Sequence, residues 1–181
     1  MKALSDNQDS NLVPGRECGE CTACCVFLLI EDGDFKKPAD KACSHMVEKG
    51  GCKIYAERPS VCQSWHCAWR FMGQLGDEWR PDRSGVLLRS DESGIIFQPI
   101  RDPKEVLTSA SAIELIGGGV DQGVPMSMSI PTREGFRSFS VSLNEPLADA
   151  VNARSFPAIK DKLIELVEFA AGQKTSAIVE G

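Results

Sequence analysis

The chain of 181 residues carries 20 lysines and arginines against 26 aspartates and glutamates, a formal net charge of −6. A chain of this length buries a real core without cross-links, and its acidic balance argues against a nucleic-acid partner, because phosphate binding depends on lysine and arginine. The longest apolar run, residues 24–30, is far shorter than the roughly 20 residues that cross a bilayer, and the N-terminus lacks the apolar core of a secretory signal. We therefore expect a cytoplasmic protein without a membrane partner.

Composition divides the chain into four segments. Residues 1–15 are polar, lack periodicity and end in Pro-Gly, which predicts a disordered lead-in. Residues 16–85 contain all the cysteines and little regular patterning, which is typical of a metal-binding segment whose loops carry ligands. Residues 86–173 show the patterns of an α+β layer that belongs to the same globular unit, and residues 174–181 are expected to form a flexible tail.

The first half of the α+β layer predicts two strands and a helix. Short apolar runs at 86–88 and 95–97 flank a turn at 91–94, which is typical of two strands joined by that turn. Pro103 then opens a predicted helix, with apolar residues at helical spacing. We expect this helix to end at the glycine triplet 117–119.

The second half of the layer predicts a hairpin and a last helix. Apolar residues alternate with serine and proline over 124–130 and again over 139–143, with a turn at 132–135 between them. The last helix is expected to run from Pro157 to a cap at Gly172, with apolar residues on one face (Ile159, Leu163, Leu166 and Ala170). The predicted fold class is α+β: an irregular, metal-organised N-terminal cysteine segment packed on a small antiparallel sheet with two or three helices.

The cysteines form the densest chemical pattern in the chain. All eight lie within the first 67 positions: Cys18, Cys21, Cys24, Cys25, Cys43, Cys52, Cys62 and Cys67. A three-residue spacing, as in Cys18, Cys21 and Cys24, lets neighbouring sulfurs turn toward one ion. Clustered cysteines in the cytosol, where thiols stay reduced, bind metal more often than each other. The pattern therefore predicts a metal site in preference to a redox disulfide switch or to unligated buried thiols. The expected metal is zinc or iron, with an iron–sulfur cluster as one form of iron.

The ligand set is graded by spacing. Cys25 and Cys43 are ranked below six other cysteines as expected metal ligands. The six are Cys18, Cys21, Cys24, Cys52, Cys62 and Cys67. Cys25 directly follows Cys24, and adjacent side chains diverge, so Cys25 serves a second site, bridges two metals or stays free. Each of the two histidines, His45 and His66, is either a ligand or an exposed or capping side chain. A helix after Pro59 would place Cys62 and His66 on one face.

Other residues in the segment suit a metal site. Gly50 and Gly51 give the backbone freedom to bend before Cys52. Arg58, held extended by Pro59, is a candidate to offset thiolate charge. Three tryptophans interleave with arginines, which indicates either a cover over the metal or a stacking surface for single-stranded nucleic acid; we favour the cover. They are Trp65, Trp69 and Trp79.

One continuous motif joins these residues: Cys18-x2-Cys21-x2-Cys24-Cys25, then Cys43, then Gly51-Cys52-Lys-Ile54-Tyr55-x2-Arg58-Pro59-x2-Cys62, then Cys67. It resembles the CxxCxxCC cysteine-cluster family of YkgJ type, which is described as a zinc- or iron-chelating domain. The resemblance covers about residues 16–85, including 37–39 and 79–83. Gln63 and Met46 depart from it, since relatives commonly carry a basic residue and a cysteine there. The resemblance implies metal binding by the matching cysteines but no reaction; a similar cluster occurs in flagellin lysine methylases.

The expected function is a metal-binding protein with a cysteine-ligated zinc or iron centre and no assigned reaction. The acidic residues show no paired pattern, and both histidines lie among the cysteines, so no catalytic residues are assigned. The metal ion is the one predicted partner. Two alternatives stay open: an iron–sulfur redox or protein-modifying enzyme whose C-terminal layer binds substrate, and a protein of metal chelation or delivery.

Overall fold

The computed structural model describes residues 12–32 and 35–178. Most of the predicted lead-in (1–11) and the end of the predicted tail (179–181) lie outside the described residues. The chain divides into two compact units between Leu87 and Leu88. Helices and strands are both present, as expected for an α+β protein.

Short elements separated by loops make up the first unit. In chain order they are α1 (Ala23–Phe27), β1 (Ile30–Asp32), β2 (Phe35–Lys37), a 3-10 turn (Tyr55–Glu57), α2 (Ser60–Ser64), α3 (Ala68–Phe71), a second 3-10 turn (Asp77–Trp79) and α4 (Pro81–Ser84). Strands β1 and β2 pair in antiparallel fashion. Trp69 and Trp79 are buried in this unit.

Helix α2 is too short to carry both Cys62 and His66. It ends at Ser64, and Trp65 has an extended backbone with ψ of 130°. His66 therefore does not continue the helix that carries Cys62, and the prediction that the two share a helical face is wrong.

Parts of the predicted lead-in and tail are hydrogen-bonded. The Val13 N–H donates to the carbonyl oxygen of Arg70 at 2.8 Å, within the first unit. In the second unit, the Arg137 N–H donates to Ser176, and the Ile178 N–H donates to Gly135 at 2.8 Å. Backbone hydrogen bonds thus hold residues at both ends of the described chain.

A four-stranded sheet and its helices make up the second unit, and the first two residues of its first strand belong to the first unit. The elements are β3 (Val86–Asp91), β4 (Gly94–Pro99), α5 (Pro103–Leu107), α6 (Ala110–Asp121), β5 (Met126–Ile130), β6 (Phe139–Ser142), α7 (Asn144–Asn152) and α8 (Phe156–Ala171). The strand order is β3-β4-β5-β6.

The sheet is mixed, which corrects the prediction of an antiparallel sheet. Strands β5 and β6 pair in antiparallel fashion, with Met128 opposite Val141, as the predicted hairpin requires. Strands β4 and β5 are parallel, with Ile96 opposite Ser127. The reason is the connection: α5 and α6 lie between β4 and β5 in the chain, and a helical crossover returns the next strand in the same direction.

The helix predicted from Pro103 to the glycine triplet is two helices, and the triplet does not end the second. Ser109 separates α5 from α6 and caps α6, because its hydroxyl accepts a hydrogen bond from the Ala112 N–H. Helix α6 continues through 117–119 to Asp121, and Gly123, with φ of 69°, follows its end. The triplet lies inside the helix because Gly119 gives close approach to Met126: a Cβ atom there would lie 1.7 Å from the Met126 Cε.

Of the two remaining helices, the sequence predicted α8 but not α7. Helix α7 was missed, although its buried residues Leu147 and Val151 lie four positions apart. Helix α8 matches the last predicted helix, with Ser155 as its cap, but Val167 is buried where Leu166 was expected. The described residues of the second unit therefore contain four helices, where the sequence predicted two or three in all.

The core of the second unit lies between its helices and its sheet. Helix α8 contacts β5, β6 and the other three helices. The largest fully buried side chains of this unit include Phe97, Leu107, Ile116, Met128, Ile130, Leu147 and Leu163. Ordinary apolar packing thus organises this unit.

Candidate metal centre

All eight cysteines lie in the first unit, and all are free thiols. Cys67 is buried and the other seven are partly buried. Backbone hydrogen bonds and electrostatic proximity divide them into two sets of neighbours, which we call the first and the second thiol group. The first group is Cys18, Cys21, Cys24 and Cys67; the second is Cys25, Cys43, Cys52 and Cys62.

Backbone contacts bring the ends of the first thiol group together. The Cys21 N–H donates to the carbonyl oxygen of Cys18 at 2.9 Å, which closes the loop between them. The Arg16 guanidinium, two residues before Cys18, donates to the carbonyl oxygens of Trp69, Met72 and Leu75. Because Trp69 follows Cys67 by two positions, these bonds hold Cys18 and Cys67 in one neighbourhood.

Backbone N–H groups point at two sulfurs of the first group. The Cys67 sulfur accepts hydrogen bonds from the backbone of Trp69 and Arg70, and the Cys21 sulfur accepts them from Ala23 and Asp82. Burial raises the pKa of the Cys67 thiol to about 11, and burial also raises the pKa of Cys21. N–H donors oppose this rise because they stabilise a thiolate, and such bonds are common around metal-bound sulfur.

The second thiol group is tied together through its own backbone. The Cys43 N–H donates to the carbonyl oxygen of Cys25 at 2.9 Å. The Met46 N–H donates to the carbonyl oxygen of Cys43 at 3.0 Å, and Met46 forms a β-bridge with Cys52. Burial raises the pKa of Cys62, and the nearby charges of the other three thiols of the group raise it further. The four thiols are therefore electrostatic neighbours.

Cys24 and Cys25 form the junction between the two groups. Both lie in α1, where successive side chains point about 100° apart. The Cys24 thiol donates a hydrogen bond to the Cys25 sulfur, which raises the pKa of Cys24 and lowers that of Cys25 to about 7. Cys24 also lies near Cys18 and Cys21, whereas Cys25 lies near Lys37 and Arg58.

Lys37 is a buried cation beside the second group, and sequence reasoning missed it. Its side chain is 4% exposed, and its ammonium donates to the carbonyl oxygens of Val26, Pro38 and Lys41 at 2.9, 2.8 and 3.1 Å. Burial lowers the pKa of Lys37, while the nearby charges of Cys43, Cys25, Asp40 and Cys24 oppose that change. The only sequence signal was its place in the 37–39 match to the resembled family.

Arg58 is the second cation beside this group, as the sequence predicted. Its backbone is extended, with ψ of 149°, and its guanidinium lies 4.0 Å from the centre of the Tyr55 ring. Its charge favours the thiolate forms of Cys25 and Cys62.

An ion pair lies beside the first group. The Arg80 guanidinium donates two hydrogen bonds of 2.7 Å to the Asp82 carboxylate, which holds the pKa of Asp82 below its usual range. The Cys21 thiol also donates to this carboxylate. The negative charge of Asp82 raises the pKa of Cys21, so this pair offers the first group no net positive charge.

The glycine pair before Cys52 adopts a conformation that uses the backbone freedom of glycine. Gly50 and Gly51 have φ of 88° and 95°, in the left-handed region where only glycine is unstrained. A Cβ atom on Gly50 would lie 2.5 Å from the Glu20 carbonyl oxygen. The turn before Cys52 therefore packs directly on the loop between Cys18 and Cys21.

The thiols are neighbours without a closed coordination shell. Across residues 12–32 and 35–178, no three or more histidine, cysteine, aspartate and glutamate side chains are grouped as the ligands of one ion, and His45 and His66 join no such group. The donors nevertheless suit a soft metal, since thiolates accept zinc and iron. Changes of side-chain rotamer move sulfur atoms without moving the backbone, so closure of a shell requires local rotation.

The second unit contains a cavity of about 340 Å³. Its lining residues are Thr132, Arg133, Phe136, Ala171, Gln173, Lys174 and Thr175. The Arg133 guanidinium lies over the Phe136 ring at 3.5 Å, and the hydroxyls of Thr132 and Thr175 are 2.9 Å apart. The described lining thus has two cations and no carboxylate.

Comparison with known proteins adds no relative: no protein-family model, curated protein or solved structure matches the chain. In the part of the chain that the structure describes, every helix is too short or too polar to cross a membrane.

Proposed function

We propose that the first unit is a metal-binding module of a cytoplasmic protein and that its cysteine thiolates hold zinc or iron. One observation carries the proposal: eight free thiols lie in two groups of neighbours within one compact unit. The resemblance to the YkgJ-type cysteine-cluster family points to the same chemistry.

The surroundings of the thiols support this proposal. Metal binding requires deprotonated thiols, and four thiolates carry more negative charge than a divalent ion neutralises. Backbone N–H groups at Cys21 and Cys67, and the cations Lys37 and Arg58, are the groups that stabilise such charge. When bound, the metal would cross-link the loops that carry the cysteines.

Metal analysis of anaerobically purified protein, combined with its absorption spectrum and a count of titratable thiols, tests the proposal. We expect stoichiometric metal and masked thiols. A colourless protein with zinc identifies a zinc site, and a brown protein that absorbs at about 400 nm identifies iron–sulfur. Metal-free protein with eight reactive thiols would contradict the proposal.

The same preparation separates this function from chelation or delivery. A structural site keeps its metal until the first unit unfolds. A delivery protein instead loses metal to a mild chelator while circular dichroism and amide exchange of the first unit stay unchanged.

The cavity favours a second candidate, in which the second unit binds a substrate for an iron–sulfur enzyme. Arg133 and Lys174 suit an anionic group, and Phe136 offers an apolar wall. Benzoate and inorganic phosphate serve as probes, with amide shifts at Thr132 and Thr175 as the NMR signal. Millimolar binding that is lost in Arg133→Gln/Lys174→Gln supports this candidate, and unchanged spectra contradict it.

A further inference from the structure

We propose that the second unit has a binding site for a small organic anion and that residues 173–178, which we call the strap, complete this site. The inference rests on the second candidate function, because it concerns the same cavity, and it does not depend on the metal. It adds the class of ligand and couples ligand binding to the docking of the strap.

The cavity lies between the strap and the turn that joins β5 to β6. Arg133 and Phe136 line it from the turn, whereas Lys174 and Thr175 line it from the strap. Each wall therefore supplies one of the two cations of the cavity. A ligand that contacts both cations needs the strap in its docked position.

Backbone hydrogen bonds dock the strap on the turn. The Arg137 N–H donates to the carbonyl oxygen of Ser176 at 3.0 Å, and the Ile178 N–H donates to that of Gly135 at 2.8 Å. The pairing is an isolated antiparallel bridge at Ala177, and both Ser176 and Ala177 are exposed. Pairing this short is marginally stable on its own, so the docking equilibrium responds to a ligand.

The two threonine hydroxyls of the cavity hold its walls together. The Thr132 hydroxyl donates to the carbonyl oxygen of Arg137 at 3.1 Å. The Thr175 hydroxyl lies 2.9 Å from that of Thr132 and therefore donates to it, because each hydroxyl has one proton. Both hydroxyl protons are thereby engaged, which leaves Arg133 and Lys174 as the charged donors for a ligand.

The two cations of the cavity are not neutralised by a neighbouring carboxylate. Within the described residues, neither Arg133 nor Lys174 forms an ion pair. Glu134 follows Arg133 in the chain, but it is exposed and is not part of the described lining. The cavity therefore presents positive charge, which favours an anion.

The size and the apolar wall of the cavity favour an organic anion. The volume of about 340 Å³ falls within the roughly 300 to 1,000 Å³ of small-molecule sites. The Phe136 ring, with the Arg133 guanidinium 3.5 Å from its centre, and the Ala171 methyl group form apolar wall. The ligand class is therefore an anionic group attached to an apolar or aromatic body, which free phosphate lacks.

An NMR titration of the full-length chain with benzoate tests the site. Inorganic phosphate has the charge without the apolar body, and benzyl alcohol has the body without the charge. We expect benzoate to bind about tenfold more tightly than either control, because it makes both kinds of contact. Binding of benzoate should be lost in Arg133→Gln/Lys174→Gln.

Hydrogen exchange tests the coupling to the strap. A ligand that binds only while the strap is docked stabilises the docked state by mass action. Benzoate at ten times its dissociation constant should therefore slow the exchange of the Ile178 and Arg137 amides by about tenfold.

Proline variants test the same coupling through affinity. Ile178→Pro removes the N–H that bonds to Gly135 but no side chain of the described lining. It should weaken benzoate binding by about tenfold, because a smaller docked fraction lowers the apparent affinity in proportion. Ala177→Pro is the matched control: the Ala177 N–H takes part in neither docking bond, so benzoate should bind as in wild type. Unchanged amide shifts in β4 and α6 verify that both variants fold.

The outcomes separate the inference from the second candidate function. If none of the probes binds, the site and that candidate fail together, and the cysteine site is unaffected. If benzoate binds but Ile178→Pro keeps wild-type affinity and the Ile178 amide exchanges at an unchanged rate, the site stands and the role of the strap is overturned. Equal losses in the two proline variants also overturn the role of the Ile178 bond. Equal affinity for benzoate and either control probe, or unchanged binding in Arg133→Gln/Lys174→Gln, overturns the ligand class.

Discussion

At the scale of single residues, Lys37 shows how backbone carbonyl oxygens hold a buried charge, with the Asp40 carboxylate nearby. Its three ammonium protons go to three carbonyl oxygens, from α1 and from the loop that follows β2. A buried polar group costs little free energy when it is fully hydrogen-bonded. Lys37 therefore joins these two segments and also places its charge among the thiols of the second group.

Replacement of this side chain tests its structural role. Lys37→Met should lower the free energy of unfolding by about 1 to 3 kcal/mol, because it leaves three partly buried carbonyl oxygens without this donor. The measurement is the denaturation midpoint of the metal-loaded protein. Lys36→Met, at the exposed neighbouring position of β2, is the matched control and should change the midpoint little; equal effects would contradict the assignment.

Asp91 gives a residue-scale prediction on pH. The hydroxyl and backbone N–H of Ser93 donate to its carboxylate at 2.5 and 2.8 Å, and these bonds hold the pKa of Asp91 below its ordinary value of 3.8. A lowered pKa in the folded state stabilises the fold above the unfolded-state pKa, and this contribution is lost as the pH falls through the folded-state pKa. Asp91→Asn should therefore be slightly less stable than wild type at pH 7, and the difference should shrink as the pH falls through the lowered pKa of Asp91. A difference in denaturation midpoint that stays constant over this range would contradict the assignment.

At the scale of elements, α6 shows how packing outweighs propensity. Three consecutive glycines cost about 1 kcal/mol each relative to alanine in a helix, and for that reason the sequence predicts an end there. Gly119 lies against Met126. A Cβ atom on Gly117 would lie 3.6 Å from the Ile159 Cδ1 atom. Helix α6 thus contains glycines of low helix propensity because they allow close contact with β5 and α8.

Single alanine substitutions in the triplet separate these effects. An added Cβ on Gly118 meets nothing within 4 Å, so Gly118→Ala should raise the free energy of unfolding by about 0.5 to 1 kcal/mol. Gly119→Ala should lower it by about 1 to 3 kcal/mol, because buried Met126 must move. Denaturant unfolding of both variants is the measurement, and equal gains in both would contradict the account of α6.

Local patterns in the sequence predict some elements well and others poorly. Helix α8 was predictable because Ile159, Leu163 and Ala170 repeat at helical spacing behind a serine cap. The β5–β6 hairpin was predictable from strict alternation. The parallel pairing of β4 and β5 was not, since strand direction depends on how a crossover packs. Likewise, spacing nominates the cysteines as ligands, but their division into groups depends on distant contacts such as those of Arg16.

At the scale of the whole molecule, the two units are organised by different means. The second unit has a continuous apolar core around Phe97, Met128 and Leu163. The first unit consists of short elements, none longer than five residues among its described helices and strands, and gathers all eight thiols. Metal binding is therefore expected to contribute a larger share of stability to the first unit.

Metal removal should expose this difference. After anaerobic treatment with a strong chelator, backbone amides within residues 12–87 should lose protection from hydrogen exchange, because metal binding and folding are coupled there. Amides of β5 and α8 should keep theirs. Unchanged protection in the first unit after complete metal removal would contradict a structural role for the metal.

X-ray absorption at the metal edge of the anaerobically purified protein tests the central claim most directly, because it reports the atoms bound to the metal. Thiolate-only ligation predicts a shell of sulfur atoms, at about 2.3 Å for zinc. A shell dominated by nitrogen or oxygen at about 2.0 to 2.2 Å would contradict the claim that the cysteines hold the metal.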